Sequence, residues 1–288
     1  MGYGKAIELF LVNGTADSLT TAELSNWNGK AIKIPRIELP DCSREDINQP
    51  GVYFLFCKED DDTDSVYIGE SENVRDRLMQ HLRDYQSDKE TYYWNTAIIF
   101  TGRDLNKASI RYLENGLVEI AKNSGRYNVL TKNTYKNTVM KESQEAVMEE
   151  FIDNVKILIG ALGYKVLEPL VKQNSTVSEE SAESILYLTR RGTNSKGKRV
   201  SDGFVLLKGS KIALDEVDSC ADSIKEKRQL AFAEGKVVNA EGIIQEDILF
   251  NTPSGAAAFA IGGSANGLIE WRNENKVTLK EIEQAEVK

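Results

Sequence analysis

Two aromatic, β-branched strings, each bounded by a glycine, constrain this chain more than any other feature. Gly51-Val52-Tyr53-Phe54-Leu55-Phe56 starts on one glycine and Val66-Tyr67-Ile68-Gly69 ends on the other. Strings of this length and composition read as strands. The acidic run Glu59-Asp60-Asp61-Asp62-Thr63-Asp64 lies between them and makes them a hairpin with a long polar tip. In an antiparallel hairpin the start of one strand lies beside the end of the next, so Tyr53 and Tyr67 come within reach of each other.

Ser71 or Asn73 then stands where a helix would be capped. The apolar positions Val74, Leu78, Leu82 and Tyr85 recur at helical spacing after it. Arg77 lies ten residues past Tyr67, and His81, the only histidine of 288 residues, four further on. A spacing of four stacks Arg77 and His81 on one helical face. Phosphodiester hydrolysis needs a base for water, a cation for the charge on the phosphoryl oxygens, and usually a metal. A phenol and an imidazole suit the first need and an arginine the second. Glu114 offers a hard oxygen ligand for Mg²⁺. Each residue also has a plain reading: tyrosines as core, His81 as a satisfied hydrogen-bond partner, Arg77 and Glu114 as exposed helix positions. Their joint spacing decides for a site.

At 288 residues the chain is long enough for two domains. Its net charge of −9 argues against a surface that coats nucleic acid along its whole length. Two segments run the other way: residues 101–136 carry seven Lys/Arg against three Asp/Glu, and 189–211 carry seven against one. Such segments can bind a phosphate backbone with salt-sensitive affinity, or can simply be solvated faces. No apolar run approaches the roughly 20 residues that span a bilayer. The N-terminus reads as a strand and not as a signal peptide. Cys42, Cys57 and Cys220 lack metal-ligand spacing and read as reduced, buried thiols of a cytoplasmic protein.

Along the chain, Ile7–Val12 and Ala31–Ile34 read as strands, so residues 1–48 form a small N-terminal β extension. Thr96–Thr101 is a buried-type strand, and Tyr92-Tyr93-Trp94 before it reads as core packing, with stacking on unpaired bases as the alternative. Lys107–Lys122 is an amphipathic helix. Another covers about Ser143–Leu162, with Val147, Phe151, Val155 and Ile159 inward and Gly163 at its stop position. Residues 166–184 form a linker, polar and Ser/Glu-rich from Val171 on. The second domain, 185–288, has strands at Ile185–Thr189 and Phe204–Leu207 and a charged helix near Asp222–Glu234. An apolar helix, Ser254–Ile261, follows Pro253, with Ser254 as its cap.

Gly51-Val52-Tyr53, then Tyr67-Ile68-Gly69, then Arg77 and His81, together resemble the GIY-YIG nuclease superfamily. Tyr112-Leu113-Glu114-Asn115-Gly116-Leu117 is similar to the metal-binding helix of that family. The resemblance covers roughly residues 50–130. It implies an α+β fold, a three-stranded antiparallel sheet flanked by helices, within a domain spanning 49–165. It implies a single divalent ion, Mg²⁺ or Mn²⁺, held by Glu114. Tyr53 would be the base, Tyr67 its orienting partner, Arg77 the stabiliser of the transition state and His81 a proton relay. A free phenol titrates near pH 10, so Tyr53 serves as base only if Arg77 or the metal lowers that value. Asn128 or Asn133 would contact phosphate, and Asn73 and Lys208 are further candidate substrate contacts. The acidic tip reads as a solvated turn pointing away from substrate.

The second domain carries Gly203-Phe204-Val205-Leu206-Leu207-Lys208-Gly209-Ser210, Arg228, Phe250–Phe259, Gly262–Gly267 and Trp271. It resembles an uncharacterised C-terminal domain that accompanies bacterial nuclease modules, with substrate recognition or a structural role as its two readings. The whole implies a metal-dependent, bacterial-type endonuclease acting on DNA, with RNA left open. The alternative is a nucleic-acid or protein interaction module that keeps a nuclease scaffold but cuts weakly.

Overall fold

The computed structural model describes residues 3–58, 64–132, 139–170, 185–233, 235 and 237–286. It divides into two units, Met1–Pro169 and Leu170–Lys288. The acidic tip 59–63 and Asn133 lie outside the described residues.

The first unit is built on a hairpin of β4 (Gly51–Lys58) and β5 (Asp64–Ser71), paired from Gly51↔Ser71 to Lys58↔Asp64. β6 (Trp94–Gly102) pairs antiparallel with the other edge of β4 and completes the expected three strands. The sheet does not stop there. β1 (Ile7–Leu11), β2 (Thr20–Leu24) and β3 (Gly29–Pro35) continue it, with β3 paired to β6 from Gly29↔Gly102 to Pro35↔Thr96. The N-terminal extension thus shares the sheet of the motif hairpin. A strand such as β6, whose Ala97–Phe100 core is fully buried, needs neighbours on both edges to satisfy its backbone. β7 (Asn128–Val129) adds a short parallel edge to β5, giving the order β1-β2-β3-β6-β4-β5-β7.

Successive residues of β4 face opposite layers, as a pleated strand requires. Val52, Phe54 and Phe56 join one core with α2 (Lys107–Ser124) and α3 (Glu142–Ala161). Tyr53, Leu55 and Cys57 join the other with α1 (Val74–Gln86). α1 starts at Asn73, whose side-chain oxygen accepts from the Asp76 backbone N–H. α2 starts in a reciprocal capping box between Asn106 and Ser109 and ends at Gly125 in the left-handed region. Gly163 follows α3 with φ +93°, the stop expected of it. The inward face of α3 is offset from expectation. Met148, Phe151, Ile152, Val155 and Ile159 are buried, while Val147 is 56% exposed. The 3.6-residue repeat allows either neighbour to lead the stripe, and packing against β2 and β3 selects Met148.

The second unit has a four-stranded antiparallel sheet in the order β11-β10-β9-β8. Its strands are β8 (Leu186–Leu188), β9 (Ser195–Val200), β10 (Gly203–Leu206) and β11 (Ile248–Phe250). α4 (Asp222–Ala233), α5 (Pro253–Ile261), α6 (Gly267–Glu270) and α7 (Leu279–Glu286) accompany it. The α5 cap is Thr252, not Ser254, because a proline at the first helical position places the cap one residue before it. Ser254 Oγ instead accepts from the Gly267 N–H at 2.9 Å. Arg228 of α4 is fully buried, with Nε donating to Glu216 and its terminal nitrogens to the carbonyls of Ala213 and Phe259. Trp271 and Phe204 stack in the same core, 4.7 Å apart. Cys42, Cys57 and Cys220 are free and buried, as expected.

Met148→Ala should lower stability by about 2–5 kcal/mol, whereas Val147→Ala should stay within about 0.5 kcal/mol. Urea denaturation of the two variants would measure the difference.

Candidate active site

Tyr53 points from β4 into the layer that holds α1, and its side chain is 1% exposed. Across the ladder it pairs with Gly69. A Cβ at residue 69 would stand 2.5 Å from the Tyr53 hydroxyl and 2.6 Å from its Cζ. The ring lies directly over the neighbouring strand, and only glycine leaves room for it. Gly51 is constrained similarly, since a Cβ there would meet the Phe100 carbonyl at 2.5 Å. The glycines of both strings are therefore packing requirements of this site.

From that position the Tyr53 ring stacks beside Tyr67 at 6.2 Å and meets the His81 ring edge-on at 5.6 Å. The Tyr53 hydroxyl is 2.9 Å from His81 Nε2. The other ring nitrogen, Nδ1, lies 2.5 Å from Glu90 Oε1. Arg77, one turn before His81, lies against the hydroxyls of Tyr53 and Tyr67 and is held firmly protonated by them. The fold thus brings four of the five motif residues together: Tyr53, Tyr67, Arg77 and His81.

Burial sets the protonation states. It pushes the Tyr53 phenol well above its ordinary value, with Tyr67 adding to the rise and Arg77 opposing it. Arg77 therefore does not bring Tyr53 down to the neutral range, contrary to what a free-standing base requires. Burial, with Arg77 and then Arg36 beside it, pushes His81 down to about 3. At neutral pH the imidazole is uncharged. The natural tautomer keeps the proton on Nδ1, donated to Glu90, and leaves Nε2 to accept from Tyr53.

Glu114 is the fifth motif residue, carried by α2. It projects from α2 toward β5, where its carboxylate accepts from the Glu70 backbone N–H, and is 6% exposed. Its neighbours are Glu70, Lys107 and Arg111. The Lys107 ammonium holds Glu70 at 2.8 Å. Glu114 Oε2 is buried with no hydrogen-bond partner among the described residues. Burial, and then repulsion from Glu70, push its carboxyl up to about 7. The two sets meet at Gly69-Glu70: Gly69 lies under Tyr53, and the backbone N–H of Glu70 donates to the Glu114 carboxylate. No cluster of three or more His, Cys, Asp or Glu capable of holding a metal exists among the described residues. One buried, unpartnered carboxylate oxygen still fits Mg²⁺ or Mn²⁺, which bind through one or two carboxylates, water and substrate phosphate.

The remaining candidates have local partners of their own. The side-chain oxygen of Asn73 caps α1 by accepting from the Asp76 N–H. Asn128 is exposed and bonds Ser65 Oγ at 3.3 Å. Ser65 lies two residues before Tyr67 on β5. Lys208 is exposed in the second unit, its backbone N–H bound to Asp247. In Tyr92-Tyr93-Trp94, Tyr92 stacks on Tyr67 at 5.8 Å and Trp94 is fully buried, while Tyr93 is 48% exposed. Sequence reasoning did not find Glu90, Arg36 or Glu70. Glu70 directly follows the second glycine string, but the other two carry no spacing signal.

An antiparallel sheet flanked by helices thus carries a Tyr–Tyr–Arg–His cluster on one hairpin and its helix. Residues 49–128 match the GIY-YIG catalytic domain, and residues 186–283 match DUF4357, a domain of unknown function. The chain carries a GIY-YIG domain followed by a DUF4357 domain at its C-terminal side. Searches of curated proteins and of solved structures returned no match. Among the described residues no helix is long and apolar enough to cross a membrane.

Gly69→Ala should displace the Tyr53 ring and cost about 1–3 kcal/mol, read as a lower urea midpoint. Glu114 gives a pH signature. Its folded-state value of about 7 lies above the ordinary 4.5, so the fold loses stability as pH rises from 4.5 through 7. In EDTA, Glu114→Gln should therefore melt higher relative to wild type at pH 8 than at pH 5, measured by circular dichroism.

Proposed function

We propose that the first unit is a metal-dependent endonuclease that hydrolyses DNA phosphodiester bonds. The observation that carries this reading is the 2.9 Å contact between the Tyr53 hydroxyl and His81 Nε2, flanked by Tyr67 and Arg77. The match of residues 49–128 to a nuclease-type domain supports it.

Because the phenol sits far above neutral pH, Tyr53 keeps its proton until the reaction begins. It acts as base by passing that proton to His81 Nε2 while it takes one from the attacking water. Arg77 meets the charge that develops on the phosphoryl oxygens and on the phenol. Tyr67 fixes the Tyr53 ring from one side and, through Tyr92, from the loop before β6. A Mg²⁺ or Mn²⁺ ion held by Glu114 would supply charge neutralisation at the phosphate. The basic residues Arg103, Lys107 and Arg111 follow on the α2 side, where a polyanion would meet positive charge despite the net −9.

A second reading has its own observation. Tyr53 is almost fully buried, an arrangement suited to a scaffold that binds nucleic acid without cutting it.

Supercoiled plasmid, single-stranded DNA and RNA, each with Mg²⁺ or Mn²⁺, separate the two. The expected result is metal-dependent DNA cutting, abolished in Glu114→Ala and lowered about 10²-fold or more in Tyr53→Phe. Cutting that survives loss of Glu114 would remove the metal assignment. No cutting of any substrate with either metal would leave the binding reading.

A further inference from the structure

We infer that Glu90, in the loop between α1 and β6, is a positioning residue that completes a Tyr53–His81–Glu90 proton relay. This rests on the proposed hydrolytic reading of the tyrosine site.

The geometry is a continuous chain. Tyr53 Oη is 2.9 Å from His81 Nε2, and His81 Nδ1 is 2.5 Å from Glu90 Oε1. The His81 side chain is wholly buried and that of Glu90 is 14% exposed, so water does not compete for either contact. An imidazole can accept from Tyr53 only if its Nε2 carries a lone pair, which requires the proton to sit on Nδ1. A carboxylate facing Nδ1 enforces that tautomer and stabilises the imidazolium that forms when Nε2 is protonated. This is the logic by which a third group orients a nucleophile–base pair.

The charges around the relay agree with this. Tyr53, Tyr67, Arg77, Arg36, Asp84 and Tyr92 face His81 or Glu90 from the surrounding elements. Arg36, just after β3, is 9% exposed and lies over the rings of Tyr85, Tyr93 and Trp94 at 4.4–4.9 Å. Burial pushes the Glu90 carboxyl up, and Arg77 and Arg36 oppose that rise. Two fixed cations thus disfavour a resting imidazolium while favouring the Glu90 carboxylate. Arg36 precedes the matched segment 49–128, so the N-terminal strands contribute a charge to the site.

In the step itself the water O–H bond breaks and its proton goes to Tyr53 Oη. The Tyr53 proton goes to His81 Nε2, and the water oxygen bonds to phosphorus as the bond to the leaving oxygen breaks. That oxygen takes a proton from solvent, and His81 later returns its Nε2 proton to solvent by way of Tyr53. Glu90 gains no proton; it holds Nδ1–H throughout.

Because the chain has one histidine, its imidazole ¹⁵N signals belong to His81 without further assignment. In wild type they should report the neutral Nδ1–H tautomer from pH 5 to 8, and in Glu90→Gln a mixture of tautomers. A wild-type Nε2–H tautomer, or a ring titrating near pH 6.5, would overturn the relay whether or not the protein cuts DNA. In the cutting assay Glu90→Gln should lower kcat at least tenfold with KM for DNA and melting temperature near wild type. In a His81→Ala background it should cause no further loss. Wild-type kcat in Glu90→Gln, or losses that multiply in the double variant, would also overturn it. Absence of cutting by wild type would count against the hydrolytic reading alone, leaving the ¹⁵N result to decide the relay.

Discussion

Tyr53 reaches His81 because the residue opposite it on the next strand has no side chain. Any Cβ at Gly69 would occupy the space of the phenol ring, and the Tyr53–Tyr67 stack, the contact to His81 and the Arg77 approach would all shift with it. A two-residue periodicity does the rest. It turns Tyr53 toward α1 and Val52 and Phe54 toward α2 and α3, so one strand serves as site on one face and core on the other.

Burial then determines the chemistry available. The same exclusion of water that lifts the Tyr53 phenol lowers the His81 imidazole, so both groups rest neutral and joined by a hydrogen bond. A neutral pair of this kind stores no charge in the ground state and separates charge only as a proton moves, where Arg77 on one side and Glu90 on the other can meet it. Glu114 is the counterpart beside Glu70: a buried carboxyl pushed up to about 7 by burial and Glu70, with one oxygen left unpartnered. Such a group is an unstable element of the fold on its own and is relieved by any cation that enters.

The segment preceding the motif belongs to the same physical unit. β3 pairs with β6 along seven residues, and the turn after it delivers Arg36 into a cage of three aromatic rings beside the site. The second unit is organised around its own buried cation, Arg228, whose donors tie α4 to the ends of α5 and to residues 213–216.

By itself, the sequence determined the hairpin, its helix and the meeting of Tyr53, Tyr67, Arg77 and His81, because local periodicities of two and of four residues place those side chains. It also determined the extents of α2 and α3 and the two matched domains, whose signals are local strings. Only the tertiary structure decided which neighbour leads the inward face of α3, that Asn73 rather than Ser71 caps α1, and that β1–β3 widen the sheet. It alone brought Glu90 and Arg36 to the site and buried the Glu114 carboxyl beside Glu70. Those outcomes depend on contacts between residues far apart in the chain and on burial, and neither leaves a spacing in the sequence to be read.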